Sequence, residues 1–123
     1  MNLKISARRS GDVTILDLEG RVTIGRDNDS LNNRLQDLAH QDVKKVLVNL
    51  SIVSQLDSSG LSTLVRAYIS FQNVGGSMKL LHPGGHVREV LELTRLTKTI
   101  PTLDDEAVAV ASFATTAARP AGT

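Results

Sequence analysis

The sequence predicts an α/β fold: one domain with a mixed, mostly parallel sheet after an N-terminal antiparallel hairpin, and four helices mainly on one face. A chain of 123 residues is expected to form a single domain. A short apolar run at residues 46–50 leads into residues 58–73, where apolar side chains recur with the helical period. Further along, short apolar runs alternate with helical segments, an order typical of right-handed crossovers between parallel strands.

The N-terminal residues predict the hairpin. Residues 2–8 alternate apolar and polar side chains, which is the pattern of a half-buried strand. Residues 13–19 form a second apolar run, and Ser10-Gly11-Asp12 between the two runs is a turn signal. Because the link is short, we expect the two strands to pair in antiparallel fashion.

The polar stretch at residues 20–29 contains two glycines and is expected to form an exposed loop or a short edge strand. A helix near residues 30–40 follows it, and Asp and Asn side chains are favourable at helix N-termini. The candidate caps are Asp27, Asn28 and Asp29. The predicted buried face of this helix consists of Leu31, Leu35, Leu38 and Ala39.

The C-terminal half continues the alternation, which gives the order β-β-α-β-α-β-α-β-α. Residues 78–81 are a short apolar run, and a helix is expected near residues 86–95 after the break at Pro83-Gly84-Gly85. Residues 98–100 are a candidate for a weak last strand. A final helix is expected at residues 104–113, with acidic residues in its first turn. Its predicted apolar face consists of Val108, Ala111 and Phe113.

The chain divides into a domain at residues 1–114 and a tail at residues 115–123. The tail consists of Ala, Thr, Arg, Pro and Gly residues and has nothing to bury, so we expect it to be disordered.

Composition narrows the possible functions. The net charge is +1, from 14 basic and 13 acidic residues, without a basic run or a basic amphipathic face. We therefore expect no direct contact with nucleic acid or with a membrane. No apolar run approaches the ~18 residues of a membrane span, and the N-terminus lacks a signal segment, so we expect a cytoplasmic protein. Without cysteine, the chain has no disulfide and no thiolate metal site.

The segment most relevant to function lies between the strand at 46–50 and the helix at 58–73. Asp57 is well placed to cap the helix by accepting a hydrogen bond from the N–H of Ser59 or Gly60. Leu56 and Leu61 then occupy the two positions of a hydrophobic staple. Ser58 is expected at the first helical position, near the positive end of the helix dipole. The residues alone allow a plain capped helix, a nucleophilic serine or a phosphorylated serine.

The sequence lacks the other residues that an enzyme mechanism at this segment would need. A nucleophilic serine needs a base, and the histidines His40, His82 and His86 belong to no catalytic signature. His82 and His86 are separated by turn residues, so they do not form a metal-binding pair on one helix face. An aspartyl phosphate at Asp57 requires an acidic pair for a divalent cation, which the expected position lacks. No glycine-rich phosphate loop is present either. We therefore expect no enzyme activity, no metal and no cofactor.

The order of elements and one motif resemble a known family. Leu56-Asp57-Ser58-Ser59-Gly60-Leu61, between the apolar strand and Gly75-Gly76-Ser77-Met78-Lys79-Leu80, resembles the STAS domain of bacterial anti-sigma factor antagonists. The resemblance extends from about Leu3 to Phe113. It implies that the unphosphorylated protein binds an anti-sigma factor that is also a serine kinase, and so frees a sigma factor for transcription. It also implies that this kinase phosphorylates Ser58 and that a metal-dependent serine phosphatase reverses the modification.

The same resemblance implies a partner-binding surface and suggests a monomer or weak dimer. The implied surface residues are Asp57, Ser58, Ser59, Gly60, Thr23 and Ser62. Two of them depart from the family pattern, since Thr23 replaces the usual acidic residue and Ser62 replaces the usual glycine. The alternative function is therefore a scaffold or signalling subunit of another sensory complex that does not act on a sigma factor.

Overall fold

The computed structural model describes residues 3–41 and 43–118, and side chains as far as Phe113. The strands and helices along the chain are β1 Leu3–Ser10, β2 Val13–Val22, α1 Arg26–His40, β3 Lys45–Leu56, α2 Ser58–Asn73, β4 Ser77–Leu81, α3 Gly85–Leu93, α4 Leu96–Thr99, β5 Thr102–Leu103 and α5 Glu106–Ala118.

One five-stranded sheet organises these elements, with its strands in the order β1-β2-β3-β4-β5. β1 and β2 are antiparallel, whereas β2, β3, β4 and β5 pair in parallel. The register places Leu16, Val48 and Leu80 side by side across the three central strands. The predicted α/β fold, with a hairpin followed by a parallel sheet, is therefore confirmed.

The core has two parts because both faces of the sheet are covered. Leu16 and Leu18 of β2 belong to the larger cluster, which also receives the buried residues of α1, α2 and α3. Val13 and Ile15 of the same strand point to the opposite face, where α5 packs. Most helices thus lie on one face, as predicted, and α5 is the helix on the other face.

The predicted last strand at residues 98–100 is wrong. The chain forms the short helix α4 there, after Arg95 adopts a left-handed conformation with φ 63°. Pairing begins only at Pro101, whose carbonyl oxygen accepts a hydrogen bond of 2.9 Å from the N–H of Leu80. Ile100 is fully buried in the larger core. Ile100 is therefore apolar because it packs in the core next to α4, and not because it belongs to a strand.

The predicted start of α1 is also wrong. The helix begins at Arg26 and its N-cap is Gly25, with φ 135° and no side-chain cap. Asp27, Asn28 and Asp29 accordingly lie inside the first turn. Because β2 continues to Val22, the loop between β2 and α1 contains only residues 23–25. This short connection holds the start of α1 close to the end of β2.

The predicted apolar face of α5 is only partly correct. Phe113 is buried, but Val108 is 57% exposed and Ala111 is exposed. Ala109 and Phe113, one turn apart, instead contact the sheet. Apolar residues occur all around this helix, so periodicity did not identify the buried side. The helix extends to Ala118, past the predicted start of the tail, and residues 119–123 lie outside the described residues.

Candidate functional site

The site is the N-terminus of α2, at the end of the sheet where β2 and β3 finish. Asp57 is the N-cap residue, and its Oδ1 accepts a hydrogen bond of 2.9 Å from the N–H of Gly60. The predicted cap is therefore confirmed, with Gly60 as its donor. Leu56 and Leu61 both contribute to the larger core, which anchors the chain on either side of the cap.

Asp57 also holds the loop between β2 and α1. Its Oδ2 accepts a hydrogen bond of 2.8 Å from the N–H of Ile24, and its own N–H donates to the carbonyl oxygen of Val22 at 3.3 Å. One carboxylate thus satisfies a free N–H of the helix start and a free N–H of the neighbouring loop. The link joins residues that are 33 positions apart in the sequence.

The charge on Asp57 is favoured by this arrangement. Partial burial raises the pKa of the carboxyl group, but hydrogen bonds from the backbone N–H groups of Gly60, Ile24 and Ser59 outweigh it and leave the pKa below its usual value. Asp57 is therefore negatively charged at neutral pH, directly beside Ser58.

Gly60 is required by the close approach of α2 to β2. A Cβ atom at this position would lie 2.3 Å from the carbonyl oxygen of Val22 and 2.7 Å from Cδ1 of Leu56. No side chain fits in that space, since backbone on one side and core on the other leave no room to move. Gly60 therefore brings the helix start against the end of β2.

The predicted serines differ in their surroundings. Ser58 is exposed at the first position of α2, and its hydroxyl makes no hydrogen bond within the described part of the chain. Ser59 is half-buried. Ser62 is exposed one turn further along, on the side of the helix that carries Ser58. Thr23 is half-buried in the loop held by Asp57. The structure thus brings the predicted surface residues to one end of the sheet, and their role in binding stays a prediction.

An open groove continues from this end of α2 toward α3 and α4. Its volume is about 450 Å³ and its lining is mostly apolar. The lining residues are Leu61, Ser62, Val65, Arg66, Thr94 and Leu96. Ser62 therefore lies where the helix start meets the groove.

Two residues have features at this end of the sheet that the sequence did not indicate, although residues 20–29 were expected to form an exposed loop and Asn28 was a candidate cap. Ile24 is 79% exposed next to Thr23, and an isolated isoleucine in a polar loop was the signal available for it. Asn28 is buried, and its Oδ1 accepts a hydrogen bond of 2.9 Å from the hydroxyl of Thr63. No sequence signal links Asn28 to Thr63, because their contact depends on how α1 and α2 pack.

His40 and His82 make their contacts with residues outside the site. His40 Nδ1 donates to the carbonyl oxygen of Gln36 at 2.7 Å, and His82 Nδ1 is 3.9 Å from a carboxylate oxygen of Asp104. Among residues 3–41 and 43–118, no group of three or more His, Cys, Asp or Glu side chains is arranged to hold a metal ion. In the same part of the chain, no helix is long and apolar enough to cross a membrane.

The fold and this capped, exposed helix start define a STAS-type domain. The family model of the STAS domain matches residues 4–109, and the chain belongs to this family.

Solved structures share the fold. An anti-sigma factor antagonist from Mycobacterium paratuberculosis superposes with a TM-score of 0.79 at 20% identity, over 91% of this chain and 94% of the other. The unphosphorylated form of the anti-sigma factor antagonist SpoIIAA gives 0.74 at 19% identity, over 87% and 93%. The phosphorylated form of SpoIIAA, a cell fate determinant of Bacillus, gives 0.69 at 17% identity, over 89% and 98%.

Proposed function

We propose that this protein is an anti-sigma factor antagonist, a protein-binding module controlled by phosphorylation of Ser58. In its unphosphorylated form it binds an anti-sigma factor that is also a serine kinase, and a sigma factor is then free to direct transcription. The observation that carries the proposal is the exposed Ser58 hydroxyl, without a hydrogen-bond partner in the described part of the chain, at the start of α2 in a STAS domain. The protein acts by binding and is itself no enzyme.

The position of Ser58 is compatible with a phosphate in the folded protein. A phosphoserine adds about −1.5 to −2 charges and three acceptor oxygens. The first turn of a helix offers free N–H groups and the positive end of the dipole, both of which stabilise an anion. Ser58 is also exposed, so the phosphate stays in water. The fold is therefore expected to survive the modification.

The same phosphate opposes partner binding. In a complex that covers the start of α2, the phosphate would be removed from water next to the charged Asp57. Burying such a charge without a matching cation costs several kcal/mol, and each ~1.4 kcal/mol lowers affinity tenfold. One phosphate is therefore sufficient to release the partner.

The proposed binding surface is the end of the sheet at which the predicted residues meet. It consists of Thr23, Asp57, Ser58, Ser59, Gly60 and Ser62. Gly60 contributes by allowing the close approach of α2 to β2, and Asp57 by fixing the loop that contains Thr23. The partners are the anti-sigma factor kinase and a metal-dependent serine phosphatase that removes the phosphate.

A second candidate function is a STAS scaffold or signalling subunit in another sensory complex. The observation that favours it is Thr23, whose uncharged side chain stands where the family pattern has an acid. A partner that pairs a cation with that acid would lose the interaction here. Purification of the protein with its bound partner from the native cell separates the two functions, since a serine kinase that also binds a sigma factor supports only the first.

The direct test is phosphorylation by that partner. The purified kinase is incubated with the protein, Mg²⁺ and ATP, and peptides covering residues 45–66 are sequenced by mass spectrometry. We expect phosphate on Ser58, and none in a Ser58→Ala variant. Phosphate on Ser59 alone, or on neither serine while the kinase is active on another substrate, would contradict the proposal.

A further inference from the structure

The end of β2 and the loop at residues 23–25 that follows it are joined to the start of α2 at three points. The N–H of Ile24 donates to Asp57 Oδ2 at 2.8 Å, and the N–H of Asp57 donates to the carbonyl oxygen of Val22 at 3.3 Å. Gly60 lies so close to Val22 that a Cβ atom would overlap its carbonyl oxygen. The conformation of this loop is therefore tied to the residue that immediately precedes Ser58.

The loop presents one large apolar side chain. Ile24 is 79% exposed, the largest value among the exposed large hydrophobic side chains of the described residues. Single exposed apolar residues are common on protein surfaces. Ile24 differs in that its own backbone N–H is held by the carboxylate next to Ser58. The backbone that carries this exposed side chain is thus held by the residue that precedes Ser58.

We propose that Asp57 is a positioning residue that holds Ile24 as an apolar contact of the partner surface, and that a phosphate on Ser58 releases Ile24 by breaking this hydrogen bond. The proposal rests on the function inferred above for Ser58. It adds a second consequence of phosphorylation: the partner meets a new charge and also loses an ordered apolar contact.

The physical basis is competition at the helix start. Asp57 Oδ1 accepts a hydrogen bond of 2.9 Å from Gly60, whose N–H is one of the free N–H groups in the first turn of α2. A phosphate on Ser58 introduces stronger acceptors for the same N–H groups and repels the neighbouring carboxylate. The carboxylate has one contact outside the helix turn that a side-chain rotation can break, which is its bond to Ile24. That bond is exposed to water and is therefore the first to be lost.

Nuclear magnetic resonance of the whole protein tests this coupling without a kinase. Phosphoserine is incorporated at position 58 during translation, and amide exchange is compared with that of the unmodified protein. We expect the Ile24 amide proton to exchange about tenfold faster, as for loss of one hydrogen bond to a charged group, and to shift upfield. The amide of Val48, in the buried centre of β3, reports global stability, and its exchange rate is expected to change less than that of Ile24.

Two asparagine variants provide the matched comparison. In Asp57→Asn one carboxylate oxygen becomes an NH₂ group that cannot accept a hydrogen bond, so a single acceptor remains for Gly60 and Ile24. We expect faster Ile24 exchange in this variant without any phosphate. Asp105 also caps a helix, through a bond of 2.9 Å from the N–H of Val108, and is the control. Asp105→Asn is expected to leave Ile24 unchanged.

The second part of the test measures the affinity of each variant for the kinase that phosphorylates Ser58. Ile24→Ser is expected to weaken binding of the unphosphorylated protein at least tenfold. Ile69→Ser is the control, since Ile69 is exposed on α2, roughly 16 Å along the helix from Ser58. Equal affinities of the two variants, or unchanged Ile24 exchange in the phosphoserine protein, would overturn the inference. Failure of the kinase to modify Ser58 would instead count against the proposed function and would leave the resonance result standing.

Discussion

The N-termini of α2 and α5 use the same local structure with different residues at the first helical position. Asp57 and Asp105 both cap by accepting a hydrogen bond of 2.9 Å from the N–H three residues later. After Asp105 comes Glu106, whose carboxylate receives two hydrogen bonds from Arg8, at 2.6 and 2.9 Å. After Asp57 comes Ser58, which is uncharged and exposed.

This difference fits the role that we propose for each helix start. At α5 the first helical residue is itself a carboxylate, and Arg8 of β1 binds it together with Asp17, which links α5 to β1 at the surface. At α2 the corresponding residue, Ser58, is neutral and makes no hydrogen bond or ion pair within the described part of the chain, and in the proposed function a phosphate adds the charge there. A charge added at α2 therefore remains available to oppose a partner.

The largest expected effect concerns the third helical residue, which is Gly60 in α2 and Val108 in α5. Gly60→Ala places a methyl group 2.3 Å from the Val22 carbonyl oxygen and is expected to lower the free energy of unfolding by about 2–4 kcal/mol. Val108 is 57% exposed, so Val108→Ala is expected to change the free energy of unfolding by less than ~0.5 kcal/mol. Urea denaturation measures both, and a harmless Gly60→Ala would show that α2 is not pressed against β2.

The next effect compares the two caps. Asp57→Ala removes the acceptor for both Gly60 and Ile24 and is expected to cost about 2 kcal/mol of unfolding free energy. Asp105→Ala removes one capping bond and is expected to cost about 1 kcal/mol. Thermal and urea unfolding compare the variants. Equal costs would mean that the bond between Asp57 and Ile24 adds nothing to stability.

These caps also show what could be predicted from the sequence. The helix at 58–73, the Asp57 cap and the existence of a strand at 46–50 were predictable because each depends on residues close in the sequence. The end of that strand was not, since β3 continues to Leu56. The link from Asp57 to Ile24 was not, because it joins residues 33 positions apart across the sheet end. α1 began earlier than expected because Gly25, with φ 135°, replaced a side-chain cap. The buried side of α5 required knowledge of which sheet face it covers.

Acid is expected to weaken both helix starts, because at each of them hydrogen bonds hold the pKa of a carboxyl group below its usual value. Hydrogen bonds from Arg8 lower the pKa of Glu106 and of Asp17, whereas backbone N–H groups lower the pKa of Asp57. Each folded-state pKa lies below its unfolded value of about 3.9–4.3, so each contribution is present above that value and is lost as pH falls through the folded pKa.

Arg8→Gln removes the first of these contributions and leaves the second. We therefore expect the stability difference between wild type and Arg8→Gln to be largest near neutral pH and to shrink below about pH 4. Urea midpoints measured from pH 7 to pH 2.5 provide the test. A difference that stays constant over this range would show that the ion pairs of Arg8 do not set the pKa of Asp17 and Glu106.

The smallest expected effect is that of Ser58→Asp on folding. A carboxylate in the first turn interacts favourably with the helix dipole, so the unfolding free energy is expected to change by less than ~0.5 kcal/mol. The matched exchange Glu106→Ser is expected to cost more, because it leaves Arg8 with only Asp17 as a partner among the described residues. A Ser58→Asp protein that unfolds at a much lower urea concentration than wild type would contradict the comparison.

The most direct test of the central claim is the affinity of the purified kinase partner for the two forms of Ser58. Calorimetry compares the unmodified protein with the protein carrying phosphoserine at position 58, in the same buffer and salt. We expect the phosphate to weaken binding at least ~100-fold, which corresponds to about 2.7 kcal/mol, and removal of the phosphate by a serine phosphatase to restore it. Equal affinity of the two forms would contradict the account.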